Sequence, residues 1–258
     1  MTMAMRARSC IVTGGGSGIG RAIVQLLSSV GFDCLVVGRR EQPLIDTASL
    51  CESSSGSVVP LVADVSSHDE VSGVIANAMD RYGRLDGIVN NAAGGGLMPF
   101  PSWTMGQLTD LWKTNVLGPA ALVLEAWPHL LESGGRIVNI SSMAVLGPFP
   151  GNGAYGMTKA ALDGMTRAID VDAAGSGVEA YSIAPGAVET EMLRSLVDDS
   201  QLPPAKAMDP SEIAQLTRAC LEGERSGDAG KVLYAAIPGF VTTDPEEAMV
   251  ALGRFHGS

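Results

Sequence analysis

Five glycines fall within the eight residues Thr13-Gly-Gly-Gly-Ser-Gly-Ile-Gly20. They stand between an apolar run, Ser9-Cys-Ile-Val12, that reads as a short buried strand, and a segment that reads as a helix to about Val30. Glycine lets a backbone approach a ligand closely and lets the helix pack on the strand it leaves, the roles open to Gly14, Gly18 and Gly20. A helix N-terminus presents free N–H groups and partial positive charge, which suit a pyrophosphate. Alone, such a glycine pattern is also explained by a simple turn; its place between strand and helix argues for a nucleotide.

The same alternation continues along the chain. Cys34-Leu-Val-Val37 reads as a second strand, ending at Gly38-Arg39-Arg40, and Val58 to Val62 as a third, followed by Asp64-Val65. Ser67 to Tyr82 has helical character, and Ile88-Val89 leads into Asn90-Asn-Ala-Ala-Gly94. Thr104 to Ser133 holds one or two helices, which Pro119 and Pro128 kink or divide. Arg136 to Ile140 and Val178 to Ala184 read as buried strands, and Lys231 to Ala235 as the last strand. Pro210 opens a helix to about Leu221, and Asp244-Pro-Glu-Glu247 is a good helix start. Strands alternating with helices predict an α/β fold, a Rossmann-like doubly wound parallel sheet with helices on both faces. With 258 residues, 46% of them apolar, one domain over 1–258 is expected. Within it, about 191–209 mixes apolar and acidic residues around Pro203-Pro204 and reads as a substrate lid.

The stretch from Ser141 to Lys159 carries the chemistry. It leaves a buried strand, crosses a Pro/Gly loop and enters a helix. Tyr155 and Lys159 are four apart and so share a helix face. An ammonium within a few ångströms favours the phenolate and lowers a tyrosine pKa by ~1–3 units from ~10. That would bring Tyr155 toward proton exchange near neutral pH. The competing reading is a structural pair on a solvated helix. Ser142, thirteen residues before Tyr155 at a strand end, weighs against it, because loops at strand ends carry chemistry.

Charge and cysteine usage narrow the function classes. The formal net charge is −11, which argues against nucleic acid or an anionic membrane as partner. Cys10, Cys34, Cys51 and Cys220 are widely spaced and read as reduced thiols. His68, His129 and His256 are scattered, so no metal site is expected. The basic start, Met1 to Arg8, has no apolar segment of the kind a signal peptide needs. No apolar run approaches the ~18–20 residues that span a bilayer. A cytoplasmic protein is therefore expected.

Together these motifs resemble the short-chain dehydrogenase/reductase family over about Ser9 to Gly239. The first turn is similar to that family's Thr-Gly-x-x-x-Gly-x-Gly, and Asn90 to Gly94 to its Asn-Asn-Ala-x-Gly. Asn115, Ser142, Tyr155 and Lys159 match its catalytic Asn, Ser and Tyr-x-x-x-Lys, and Pro185-Gly186 its Pro-Gly, with Thr190 four past the glycine. The resemblance implies a nicotinamide cofactor held by Gly14, Ser17, Gly18, Ile19 and Gly20 at the glycine turn. It implies Asp64 and Val65 at the adenine, Asn91 near the ribose, and Pro185, Gly186, Val188 and Thr190 on the nicotinamide side. Tyr155 would exchange the proton of a carbonyl or hydroxyl, with Ser142 bonding the same oxygen. Lys159 would bind the ribose hydroxyls and lower the Tyr155 pKa, and Asn115 would hold a water linking Lys159 to solvent. The family commonly follows its last strand with Asp-Gly-Gly. This chain has Ala236-Ile-Pro-Gly239, which leaves subunit packing at that edge open. A homodimer or homotetramer is implied through the helices containing Ala120 to Leu124 and Tyr155 to Ala174.

Cofactor choice turns on Gly38-Arg39-Arg40. A carboxylate that would accept bonds from the ribose 2′-hydroxyl and repel a 2′-phosphate is missing at Gly38, and Arg39 follows with a guanidinium fork suited to phosphate. NADP(H) is expected in preference to NAD(H), with Arg39 and Arg40 as its readers. A solvated arginine loop, or stacking on adenine, is the competing reading. The expected reaction is carbonyl–alcohol interconversion on a small, partly apolar substrate. Leu97, Met98, Val145, Met192, Leu193 and Leu196 would flank it. The alternatives are a 3-oxoacyl-acyl-carrier-protein reductase, an NAD-dependent alcohol dehydrogenase and a non-catalytic dinucleotide-sensing protein.

Overall fold

A computed structural model describes residues 7–147 and 149–257. The basic start at 1–6, Pro148 of the loop before α6 and the side chain of His256 lie outside the described residues. In chain order the elements are β1 (Arg8–Thr13), α1 (Gly18–Ser29), β2 (Phe32–Gly38), α2 (Glu41–Ser49), β3 (Val58–Val62), α3 (His68–Tyr82) and β4 (Gly87–Asn90). There follow α4 (Met105–Trp112), a π-helical turn (Lys113–Leu117), α5 (Gly118–Ser133), β5 (Arg136–Ile140), α6 (Gly153–Asp172) and β6 (Glu179–Pro185). The chain closes with α7 (Glu191–Arg194), α8 (Pro210–Leu221), β7 (Val232–Ile237), β8 (Phe240–Thr242) and α9 (Pro245–Gly257).

The strands form one sheet in the order β3-β2-β1-β4-β5-β6-β7-β8, parallel throughout except for β7 with β8. Successive strand side chains point to opposite faces. Cys10 and Val12 therefore join a core with Ile23, Val24 and Leu27 of α1 and Ile213 and Leu221 of α8. Ile11 between them joins the opposite core with Val71, Val74 and Ile75 of α3 and Leu122, Ala126 and Leu130 of α5. Each fully buried Val, Leu or Ile contributes about 1.5–3 kcal/mol of burial. A sheet covered on both faces reads as continuous apolar runs, the pattern that β1, β2, β4 and β5 show.

Two expectations are corrected. Lys231 to Ala235 is not the last strand: β7 runs on to Ile237, and Pro238-Gly239 turns the chain into the antiparallel β8. Gly239 has φ +71, open to glycine at the second position of a turn that proline opens. Its N–H donates to Glu212 Oε2 of α8 at 2.7 Å, which fastens the hairpin to the body. The division of Thr104 to Ser133 lies at the π turn Lys113–Leu117, while Pro119 occupies the first turn of α5 and Pro128 lies inside it. At α8 the expected start is observed, with Asp209 and Glu212 forming reciprocal capping bonds around Pro210.

The sheet reverses its direction of growth between β1 and β4, and α/β sheets bind ligands at the carboxyl ends of strands at such a point. Gly118 lets α5 approach the chain just past β3. A Cβ there would lie 2.5 Å from the Val65 carbonyl oxygen, a backbone atom with no easy retreat. Gly118→Ala is expected to destabilise the fold by about 1–3 kcal/mol, the usual overpacking cost. A thermal unfolding midpoint equal to wild type would contradict that.

Candidate active site

The glycine turn is fixed by its neighbours and not by a side-chain cap. Gly14 donates its N–H to Val37 O at 2.7 Å, Thr47 Oγ1 donates to Gly15 O at 3.0 Å, and Arg21 bonds Gly16 O and Thr47 Oγ1. Gly14 and Gly18 have φ of +65 and +49, which disfavour any side chain. A Cβ at Gly20 would stand 2.3 Å from Gly14 O. Ser17 precedes α1 and makes no side-chain cap bond, while Ile19 packs on the core. Asn91 ties β1 to β4 across the switch point: its Nδ2 donates to Thr13 O at 2.9 Å and to Gly14 O at 3.2 Å.

Between this turn and the end of β2 opens a cavity of about 130 Å³, bordered by Gly14, Gly16, Ser17, Gly38, Arg39 and Arg40. A Cβ added at Gly38 would meet only a methyl of Leu44, at 3.3 Å. Arg39 is exposed and its guanidinium lies 4.0 Å from the Asp64 carboxylate. Arg40 is exposed beside it. Asp64 also accepts from the Ser66 N–H at 2.9 Å and hydroxyl at 2.8 Å, so it serves as a turn residue before α3. Val65 is buried under Gly118. A second cavity, about 480 Å³ between α2 and β3 around Cys51, Ser54 and Pro60, borders none of the expected site residues.

The other half of the site gathers at the ends of β5 and β6. Ser142 follows β5, and its Oγ accepts from the Ala144 N–H at 3.2 Å. Tyr155 lies in the first turn of α6, half-buried, and a Cβ at Gly95 would stand 3.4 Å from its ring. Lys159, one turn on, is 2% exposed. Its Nζ donates to Ile140 O at 2.6 Å and lies 5.5 Å from the centre of the Tyr155 ring. The expected lowering of the Tyr155 pKa is absent from this arrangement. Burial pushes the phenol up to about 12, with the Ser142 hydroxyl pulling weakly the other way. Four-residue spacing puts the two side chains on one face, but the ammonium is engaged by a carbonyl beneath the ring. Burial in turn brings Lys159 down to about 8, against an upward pull from the Asp163 carboxylate.

Asn115 sits in the π turn, fully buried. Its Oδ1 accepts from the Gly94 N–H at 2.7 Å, and its Nδ2 donates to Gly94 O at 2.9 Å and to Thr158 Oγ1 at 3.0 Å. The side chain thus locks the loop that clears the Tyr155 ring to the helix that carries Tyr155. Thr158, Gly95 and Ile140 were missed in the sequence. A threonine between Tyr155 and Lys159 and a second glycine after Asn91 carry no pattern of their own, and a carbonyl acceptor carries none at all.

Pro185 ends β6, and the Gly186 N–H donates to Ala235 O at 2.8 Å. Val188 bridges to Met208, closing the base of the segment read as a lid. Thr190 caps α7 by accepting from the Leu193 N–H at 3.2 Å, and its methyl lies 3.0 Å from where a Cβ on Gly18 would be. The segment after β6 therefore touches the glycine turn. Arg194 cross-links the segment: it pairs with Glu189 and Asp199 and donates to Leu202 O at 2.8 Å. Leu97 and Met192 are exposed. Among the described residues no group of three or more His, Cys, Asp or Glu could hold a metal ion. The four cysteines are buried and unpaired.

Sequence comparison decides the family. The short chain dehydrogenase model matches residues 8–201. This chain belongs to the short-chain dehydrogenase family. An oxidoreductase of Staphylococcus epidermidis is 31% identical over 189 residues, 73% of this chain and 81% of that protein. The 3-oxoacyl-(acyl-carrier-protein) reductase of Thermotoga maritima is 27% identical over 242 residues, 90% of this chain and 97% of that one. A mutant short-chain dehydrogenase/reductase of Serratia marcescens superposes with a TM-score of 0.83 at 27% identity, covering 91% and 98% of the two chains. A variant actinorhodin polyketide ketoreductase, solved with NADPH, gives 0.82 at 27% identity, covering 90% and 97%. The chain is thus an oxidoreductase of a family that binds nicotinamide cofactors. The residues present fit such a group: the cradle at Gly14, Gly18 and Gly20 tolerates no side chain, and the space beyond Gly38 is open. No described helix is long and apolar enough to cross a membrane.

Proposed function

We propose that this protein interconverts a carbonyl and a secondary alcohol on a small, partly apolar substrate, using NADP(H) in preference to NAD(H). The observation that carries the reading is the gathering of Ser142, Tyr155 and Lys159 beside a loop that Gly95 leaves open. In reduction Tyr155 gives its proton to the substrate oxygen, and in oxidation it takes the hydroxyl proton. Burial supports the first role, because a phenol held near about 12 keeps its proton at neutral pH. Ser142 donates a hydrogen bond to the same oxygen and stabilises developing negative charge. Lys159 holds the ribose hydroxyls with its ammonium. Asn115 fixes the loop and helix on either side of this group. When bound, the nicotinamide supplies or accepts the hydride.

Ser17, Gly18, Ile19 and Gly20 would hold the pyrophosphate, Asp64 and Val65 the adenine, and Pro185, Gly186, Val188 and Thr190 the nicotinamide side. The exposed Leu97 and Met192 and the half-buried Met98, expected to flank the site, support an uncharged, partly apolar substrate, since methionine adapts its shape. Purified protein assayed with a panel of ketones, secondary alcohols and a 3-oxoacyl thioester tests the class. A clear preference for multiply charged sugar phosphates would overturn the substrate reading. Tyr155→Phe keeps the ring and removes the hydroxyl, so turnover should fall by at least ~10²-fold while cofactor binding persists. Near wild-type turnover in that variant would sink the proton role.

The cofactor preference rests on Gly38 and the exposed Arg39 and Arg40. Arg39 offers a planar fork to a 2′-phosphate, and the neighbouring Asp64 restrains it only at 4.0 Å. Wild-type kcat/KM should favour NADPH, and Gly38→Asp with Arg39→Ser should shift the preference toward NADH. The added Cβ would meet only the Leu44 side chain, at 3.3 Å, and no backbone atom, so the double variant is expected to fold. A wild-type enzyme tenfold better with NADH would show that these arginines do not select the phosphate.

A symmetric homodimer or homotetramer through α5 and α6 completes the reading. Leu124 of α5 is 74% exposed and Val171 of α6 is 72% exposed, apolar surface on the two helices concerned. Light scattering at micromolar concentration should give a multiple of the chain mass; a monomer would refute the assembly.

A further inference from the structure

Helix α6 carries four functional groups in a column. Tyr155, Lys159, Asp163 and Arg167 follow one another at intervals of four, so they share one face. A hydroxyl, an ammonium, a carboxylate and a guanidinium succeed one another from the site to the surface, where Arg167 is exposed. The first two belong to the reaction proposed above. Asp163 touches none of the groups that the reaction needs, yet it is 5% exposed, a state carboxylates avoid unless they are partnered.

Its partners come from the sheet. Ser182 Oγ of β6 donates to Asp163 Oδ1 at 2.6 Å. The Ser141 hydroxyl, just past β5, lies between the same carboxylate and the Lys159 carbonyl, to which it donates at 3.2 Å. Tyr234 of β7 and Arg167 of α6 face the carboxylate as well. Above it, the Lys159 ammonium bonds Ile140 O of β5, a neutral acceptor, and lies under the Tyr155 ring. Burial opposes charge on Lys159, and the Asp163 carboxylate one turn away supports it.

We propose that Asp163 is a positioning residue of this site: a buried countercharge, locked to the sheet by Ser182, that keeps the Lys159 ammonium charged beneath Tyr155. The proposal rests on the roles assigned above to Tyr155 and Lys159. Lys159 can donate three hydrogen bonds only while it is charged. Removing the carboxylate removes an attraction for the ammonium, so Lys159 should lose its proton at a lower pH.

The chain contains four lysines, so a spectrum of the protein labelled with carbon-13 at lysine Cε resolves a small set of signals. Lys159 is assigned by its loss in Lys159→Arg. Ligand-free wild type, Asp163→Asn and the double variant Asp163→Ala with Ser182→Ala are then titrated. The double variant removes both partners of the buried bond, a milder change than orphaning one, and it decides the matter if the Asn variant fails to fold. The Lys159 midpoint should fall by about one unit or more in either neutral variant, the scale of a nearby opposite charge. Lys113, Lys206 and Lys231 should not move. In the NADPH-dependent assay the alkaline limb of kcat should fall in step. An unchanged Lys159 midpoint overturns the proposal, even if the variant melts earlier, because a merely structural aspartate would change stability alone. A shifted midpoint in a chain that reduces no carbonyl would leave the countercharge standing and sink the catalytic reading instead.

Discussion

An ammonium buried beneath a helix, at the end of a parallel sheet, governs how this molecule is put together. Taking such a charge out of water costs several kcal/mol unless it is bonded and countered. Lys159 meets that demand at the Ile140 carbonyl, the last residue of β5, so α6 must dock with its seventh position against the strand ends. Small residues allow the approach: a Cβ at Gly156 would stand 3.1 Å from Ala144 O. Two further buried links fasten the same helix at successive depths, Ser182 to Asp163 at 2.6 Å and Asn139 to Thr166 at 2.8 Å. A helix held by three polar links to two strands cannot slide without orphaning a buried group. Tyr155 inherits that rigidity, which the proton transfer proposed for it would require.

The opposite half of the site is built by other means. Around the glycine turn the chain uses backbone geometry: positive φ at Gly14 and Gly18, a Gly20 that faces Gly14 O, and an Asn91 amide that bridges two strand ends. Charge there is exposed, on Arg39 and Arg40, and tied loosely to Asp64. Arg39 and Arg40, the proposed readers of the dinucleotide's far end, can therefore change with little effect on folding. Lys159 and Asn115 cannot, because their partners are buried. The division matches a fold in which chemistry and cofactor choice vary separately on one scaffold.

Most of the architecture was legible because apolar strands and amphipathic helices alternate with glycine and proline between them. The Pro210 start of α8 and the Asp244 start of α9 follow from capping chemistry alone. The β7–β8 hairpin was missed because three short residues after Pro238-Gly239 carry too little pattern to read as a strand. The π turn at Asn115 was missed because one extra residue in a helix leaves the apolar spacing nearly unchanged, and only the proline nearby drew attention. Asp163 stood in plain view, four residues past Lys159. An acidic residue in mid-helix signals nothing until its neighbours on the sheet are known.

Spacing could place Tyr155 and Lys159 on one face, but it could not say which acceptor the ammonium would take. With Nζ on the Ile140 carbonyl, burial dominates both groups and drives them apart, the phenol upward and the amine downward. A site that shields its acid and its cation together weakens the charge it depends on. Exposure would restore that charge but would admit water to the reacting oxygen and screen the field that acts on it. The carboxylate proposed for this role, Asp163, stands one turn further along α6, is held by Ser182, and would support the cation without opening the site. That role would reconcile a dry active site with a charged lysine, and it gives a reason for the polar column of α6 to continue past Lys159 toward the exposed Arg167.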